Sequence, residues 1–141
     1  MEPFAYPPLP PGKDAIRILN IEPGDFYDDP IVCTLTSVTF MSKPRYLALS
    51  YTWDDAFPHN QSLPTNKSMT SVDPITINGQ PFAIHHNLHL CLLHLRSKTA
   101  PLPLWVDAVC INQADADERN AQVALMSFIY PRAQAVVAWL G

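Results

Sequence analysis

"LWVDAVCINQADADER", residues 104–119, decides how this chain folds. Taken as an extended segment, Trp105, Asp107, Val109 and Ile111 share one face, and Val106, Ala108 and Cys110 share the other. Apolar residues on both faces indicate a strand covered on both sides, as in a parallel sheet with helices packed above and below. Residues 104–111 are therefore expected to form a central strand with neighbours on either side. Asn112 and Gln113 then turn the chain. Asp115 and Glu118 have the spacing of a capping box, in which the Asp accepts the Glu118 amide and the Glu reaches back. A helix is expected over 116–130, with Val123, Met126, Ile129 and Tyr130 inward and Pro131 as its stop. "AVVAWLG" (135–141) closes the chain as another apolar strand.

Upstream, "NLHLCLLHLRSK" (87–98) places Leu88, Cys91, Leu92 and Leu95 on one helical stripe, with Asn87 as the expected N-cap. "PITINGQPFAI" (74–84) is a hairpin whose Asn78-Gly79 pair supplies the positive φ angles of a tight turn. Residues 56–74 are polar and Pro-rich without apolar period, the composition of a long exposed loop. "YLALSYTW" (46–53), "PIVCTLTSVTF" (30–40) and "AIRILNI" (15–21) are strand-like, the last two suited to pairing across the "PGD" turn. Five of the 15 prolines fall in the first eleven residues, so 1–14 reads as a flexible, Pro-rich leader. The expected fold class is α/β: a mostly parallel central sheet flanked by helices over 15–141, with an N-terminal β-hairpin addition.

Bulk composition excludes several classes. At 141 residues, 48% hydrophobic and 16% charged, the chain suits one globular domain. A net charge of -4 without any Lys/Arg cluster along the sequence gives no reason to expect nucleic acid. No apolar stretch approaches the ~20 residues of a membrane span. The three cysteines, an odd number without a CxxC pair, fit buried thiols in a reducing cytosolic or nuclear setting, and a cytoplasmic location is expected.

Candidate chemistry concentrates at two strand ends. Tyr51 and Trp53 end one segment, and Asp107, Asn112, Gln113, Glu118 and Arg119 follow the other. Ligands of open α/β sheets bind beyond the carboxyl ends of strands, where an aromatic ring could stack on a base and a carboxylate could hold ribose hydroxyls or stabilise developing positive charge. Each residue also has an architectural reading: Asp107 as a carboxylate that accepts backbone N–H groups or pairs with Arg119, Glu118 as a cap, Arg119 in an ion pair, one of the aromatics as core. His85, His86, His89 and His94 are close in sequence but lack a Cys or acidic companion, so no metal site is expected. Phosphate-binding glycine loops and a G-x-S-x-G elbow are absent.

In order, "YLALSYTW", "ITINGQPFAIHHNLHLCLLHLR" and "LWVDAVCINQADADERNAQVALMSFIYPRAQAVVAWLG" resemble the fungal heterokaryon incompatibility (HET) domain over residues 15–141. The ordered pattern D-x-x-ER-x-x-QV-x-x-M ending in WLG is the most specific part. One departure is Asp54, where the family usually has Gly. Family proteins typically continue well beyond WLG, so the chain is expected to be a minimal, truncated or stand-alone member. The resemblance implies fungal non-self recognition and programmed cell death, through contacts with other proteins, including copies of itself, and without a cofactor. A proposed distant relation to Toll/interleukin receptor (TIR) domains implies an alternative: a NAD-cleaving hydrolase with NAD as substrate and Glu118 or Asp107 as catalytic carboxylate. An inert truncated domain is the third reading.

Overall fold

Alternating and continuous apolar runs sort the strands by their place in the sheet. The computed structural model describes residues 4–9, 14–25, 30–51 and 72–139. Its elements are β1 (Ala15–Ile21), β2 (Val32–Thr39), a 3-10 turn (Phe40–Ser42), β3 (Leu47–Tyr51), β4 (Val72–Ile77), β5 (Gln80–His85), α1 (His86–Leu95), β6 (Leu102–Trp105), α2 (Asp107–Cys110), α3 (Ala116–Arg132) and β7 (Ala135–Trp139). Among the described residues the strands form one sheet in the order β5-β4-β2-β1-β6-β3-β7. β1, apolar on both faces, is buried almost throughout and lies mid-sheet. β2 alternates exposed Val32, Thr34 and Thr36 with buried Cys33 and Leu35, because one of its faces meets water.

The sheet is mixed, which corrects the mostly parallel expectation. β1–β2, β1–β6 and β4–β5 are antiparallel and carry most of the paired residues; β2–β4, β3–β6 and β3–β7 are parallel. Nor is β1–β2 an added hairpin: β1 also pairs with β6, joining β5-β4-β2 to the parallel trio β6-β3-β7. Local pattern specifies a strand and its exposed face, but not the direction of a neighbour far along the chain.

The opening stretch divides differently as well. β6 is central, between β1 and β3, but ends at Trp105, and α2 makes one helical turn in which Cys110 N–H donates to the Val106 carbonyl at 2.8 Å. Val109, Cys110 and Ile111 are buried all the same. A short apolar run cannot distinguish a buried strand from a buried turn of helix, and here the tail of the run is helix. Asp107 therefore opens a helix instead of interrupting a strand.

The Asn78-Gly79 hairpin forms as expected, with φ of 52° and 80°. No atom lies within 4 Å of where a Gly79 Cβ would stand, so backbone conformation alone favours glycine there. The Asn78 side chain accepts from Leu35 N–H (2.9 Å) and donates to its carbonyl (3.2 Å), extending the β2–β4 ladder by one amide. The N-cap of α1 is His85, with Asn87 inside the helix. α3 runs one residue past Pro131, and Val123 is 52% exposed while Gln122 takes its inward place. No helix of the described residues is long and apolar enough to cross a membrane.

α3 buries only Gln122 and Ile129 fully, so much of its attachment is polar. Gln122 Nε2 donates to the Ala15 carbonyl of β1 (2.9 Å), and Tyr46 Oη donates to the Ile129 carbonyl (2.6 Å) in the last turn, where carbonyls lack helical partners. Trp105 meets Tyr130 edge-on with centroids 5.7 Å apart. At the other end, Asp115 accepts the Glu118 amide at 3.1 Å. Asp115→Ala is expected to lower stability by about 1 kcal/mol; an unchanged denaturation midpoint would show that this cap contributes nothing.

Candidate functional site

Strand direction brings the candidate residues to one edge of the sheet. β6, β3 and β7 run parallel, with Leu47 opposite Leu104 and Tyr51 opposite Trp139, so their carboxyl ends lie on one side. β1 runs against β6 with Leu19 opposite Leu104, which carries Arg17, two residues earlier, past Trp105 to that same edge. There Arg17 meets the turn between α2 and α3.

Arg17 organises the site. Its side chain is 2% exposed and pairs in fork geometry with Glu118, Nη1 to Oε2 at 2.6 Å and Nη2 to Oε1 at 2.9 Å. Nη1 also donates to the Cys110 carbonyl (3.1 Å) and Nε to the Pro7 carbonyl (2.7 Å). The Tyr6 ring covers the guanidinium at 4.7 Å from its centroid. Glu118 Oε2 accepts the Asn112 amide at 2.7 Å as well. Instead of reaching back to the N-cap, Glu118 thus reaches across to β1. Burial pushes the Tyr6 phenol up to about 12 against the opposing pull of Arg17, so it stays protonated.

The segment carrying Tyr6 and Pro7 is part of the expected flexible leader, yet residues 4–9 lie against the domain. Phe4 and Tyr6 pack edge-on with centroids 4.9 Å apart, and Phe4 meets Phe82 at 5.1 Å. Ala5 N–H donates to Gln80 Oε1 (3.1 Å), and Ser37 Oγ donates to the Pro8 carbonyl (2.8 Å). A groove of about 790 Å³ runs between this segment and α3, edged by Asp14, Arg17, Asn112, Asp117, Glu118 and Gln122.

The remaining sequence candidates shape the turn. Asn112 Oδ1 accepts Ala114 N–H (3.1 Å), Gln113 Nε2 donates to the Asp107 carbonyl (2.9 Å), and Arg119 Nη1 donates to the Gln113 carbonyl (3.2 Å), not to a carboxylate. Half-buried Asp107, at the start of α2, lies near enough to Tyr130 to add to the upward push of burial on that phenol. Asp107, Asn112, Gln113, Glu118 and Arg119 therefore occupy one connection. Tyr51 ends the neighbouring strand β3 at the same edge, and Trp53 lies outside the described residues. Sequence reasoning missed Arg17 and Tyr6. The signal for Arg17 was a charge on the same face as Leu19 and Ile21 in a strand apolar on both sides.

Among the described residues no three His, Cys, Asp or Glu side chains cluster to hold a metal ion. Cys33, Cys91 and Cys110 are free and buried, with burial pushing each thiol up to about 12. Such thiols are protonated near neutrality and poor nucleophiles. The folded values lie above the ordinary value of 9. Stability is therefore fully present below pH 9 and falls above it, where the unfolded chain releases protons that the folded chain keeps. Native protein should resist an aromatic disulfide reagent at pH 8 and all three thiols should react in denaturant; fast native labelling would contradict their burial.

The fork between Arg17 and Glu118 yields a stability test. Arg17→Ala leaves a buried carboxylate without its partner and should cost about 3–5 kcal/mol. Arg17→Met combined with Glu118→Leu should cost less than the sum of the two single changes, measured as a double-mutant cycle by denaturation. Additive losses would mean that the two side chains do not act as a pair.

Comparison with known proteins agrees with this arrangement of blocks. The family described as "Heterokaryon incompatibility protein (HET)" matches residues 46–141. The chain is 37% identical over 134 residues to "Heterokaryon incompatibility protein 6, OR allele" of Neurospora crassa, an alignment covering 89% of this chain and 18% of that relative. It thus spans less than a fifth of the relative's length. No solved structure matches it. With the family match spanning β3 to the last residue, and the relative's similarity extending over most of the chain, this protein belongs to the heterokaryon incompatibility (HET) family.

Proposed function

We propose that this HET domain serves fungal non-self recognition and programmed cell death as a signalling module that works through contacts with other proteins, copies of itself included. The observation that carries this reading is the state of Glu118. Both of its oxygens are engaged by Arg17 and one also by the Asn112 amide, so the carboxylate's bonds are taken up in joining β1 to α3. A catalytic carboxylate needs an oxygen within reach of the reacting group. α3, meanwhile, turns apolar surface outward: Val123 is 52% exposed and Phe128 47%. Exposed apolar side chains on a helix suit a partner surface better than a substrate pocket. Tyr51 and the Asn112-Gln113 turn are the proposed contacts at the carboxyl edge, and Trp53, outside the described residues, is a further proposed contact.

The test is expression in a fungal host scored for cell death, alongside purified protein incubated with NAD. Val123→Asp and Trp53→Ala should each abolish killing while circular dichroism and thermal unfolding remain those of the parent. Nicotinamide release should not exceed the buffer control. Turnover of NAD that disappears in Glu118→Gln, in protein that stays folded, would replace this reading with the hydrolase.

A further inference from the structure

At the opposite end of the parallel strands, two loops gather positive charge. The loop leading into β3 supplies Lys43 and Arg45, and the end of α3, before β7, supplies Arg132. With Phe40, Tyr46 and Gln134 they line a pocket of about 600 Å³ that contains no carboxylate among the described residues. The described, exposed cations of the chain are Lys43, Arg45, Lys98, Arg119 and Arg132, so three of the five meet here, in a protein of net charge -4. None of the three forms an ion pair among the described residues.

The pocket is also held in shape. Arg132 rests against two rings, 4.9 Å from the Phe128 centroid and 5.6 Å from that of Phe40, which fixes its guanidinium before any ligand arrives. Gln134 N–H donates to the Tyr46 carbonyl at 2.8 Å, tying the two loops together. Lys43 adopts a left-handed backbone, φ 51°, with its N–H on the Phe40 carbonyl at 3.0 Å. A cation in the last turn of a helix complements the dipole, which explains Arg132 alone. It does not explain Lys43 and Arg45, which come from a separate loop.

We propose that this pocket binds a ligand bearing two or more adjacent phosphates. A guanidinium fork and an ammonium point charge are the groups that match phosphate oxygens, and three like charges in a pocket whose described lining holds no carboxylate leave a field that a polyanion relieves. The volume exceeds what a single carboxylate would fill. The site is independent of the Arg17–Glu118 cluster, which lies at the other end of α3.

Inorganic tripolyphosphate titrated into the full chain at low salt, followed by calorimetry, tests this directly. One saturable site is expected, weakening as salt rises. Lys43→Ala and Arg45→Ala should each reduce affinity roughly tenfold, while Lys98→Ala leaves it unchanged. Both pocket residues are exposed, so their loss should not alter the circular dichroism spectrum. Sedimentation with phosphatidylcholine vesicles carrying a phosphoinositide bisphosphate distinguishes the sources. Co-sedimentation lost in Lys43→Ala identifies a lipid head group, whereas tripolyphosphate binding without co-sedimentation identifies a soluble ligand; either supports the site. Absence of saturable binding, or equal weakening by Lys98→Ala, overturns it.

Discussion

A buried guanidinium must find partners for its N–H groups or it destabilises the fold that buries it, and Arg17 imposes that condition on everything around it. It sits in the strand that joins the two halves of the sheet, so it cannot retreat to solvent without unseating β1. Its partners come from three parts of the chain: the Pro7 carbonyl, the last carbonyl of α2 and the Glu118 carboxylate. The N-terminal segment, the α2–α3 turn and the start of α3 all meet at this one group.

The same logic governs how α3 is held. A helix with a continuous apolar stripe slides at small cost until its side chains interlock. α3 is pinned instead at three polar points along its length: Glu118 to Arg17, Gln122 to Ala15 and the Ile129 carbonyl to Tyr46. Directional hydrogen bonds at fixed spacing define register, and they leave an outward-facing position such as Val123 without a part in holding the helix to the sheet.

Much of the fold was legible in the sequence wherever local chemistry is decisive. The Asn78-Gly79 hairpin, the bounds of β1 and the Asp115 cap depend on residues within a few positions of each other, and they stand where pattern put them. What was not legible depends on distant partners. The direction of β1 against β6 joins residues more than eighty positions apart, and nothing in "AIRILNI" records it. The turn at Asp107–Cys110 escaped because its apolar residues satisfy a strand and a buried helix equally well. For the site, Glu118 and Asn112 were found from their turn and spacing. Their partner Arg17 was passed over because alternation assigned it no special face, although its neighbours Leu19 and Ile21 are fully buried.

The position of β1 in the sheet has a consequence for what counts as the folding unit. The recurring family segment begins at residue 46, at the start of the β3 region, and leaves out β1 and β2. Those two strands lie between β4 and β6, so a fragment cut at the family boundary loses the middle of its sheet, leaving a two-stranded ribbon and a three-stranded remnant with no ladder between them. Two-stranded ribbons are seldom stable in water on their own. The piece of sequence that recurs is therefore smaller than the piece that can fold, and the missing strands have to be supplied by chain upstream of the motif.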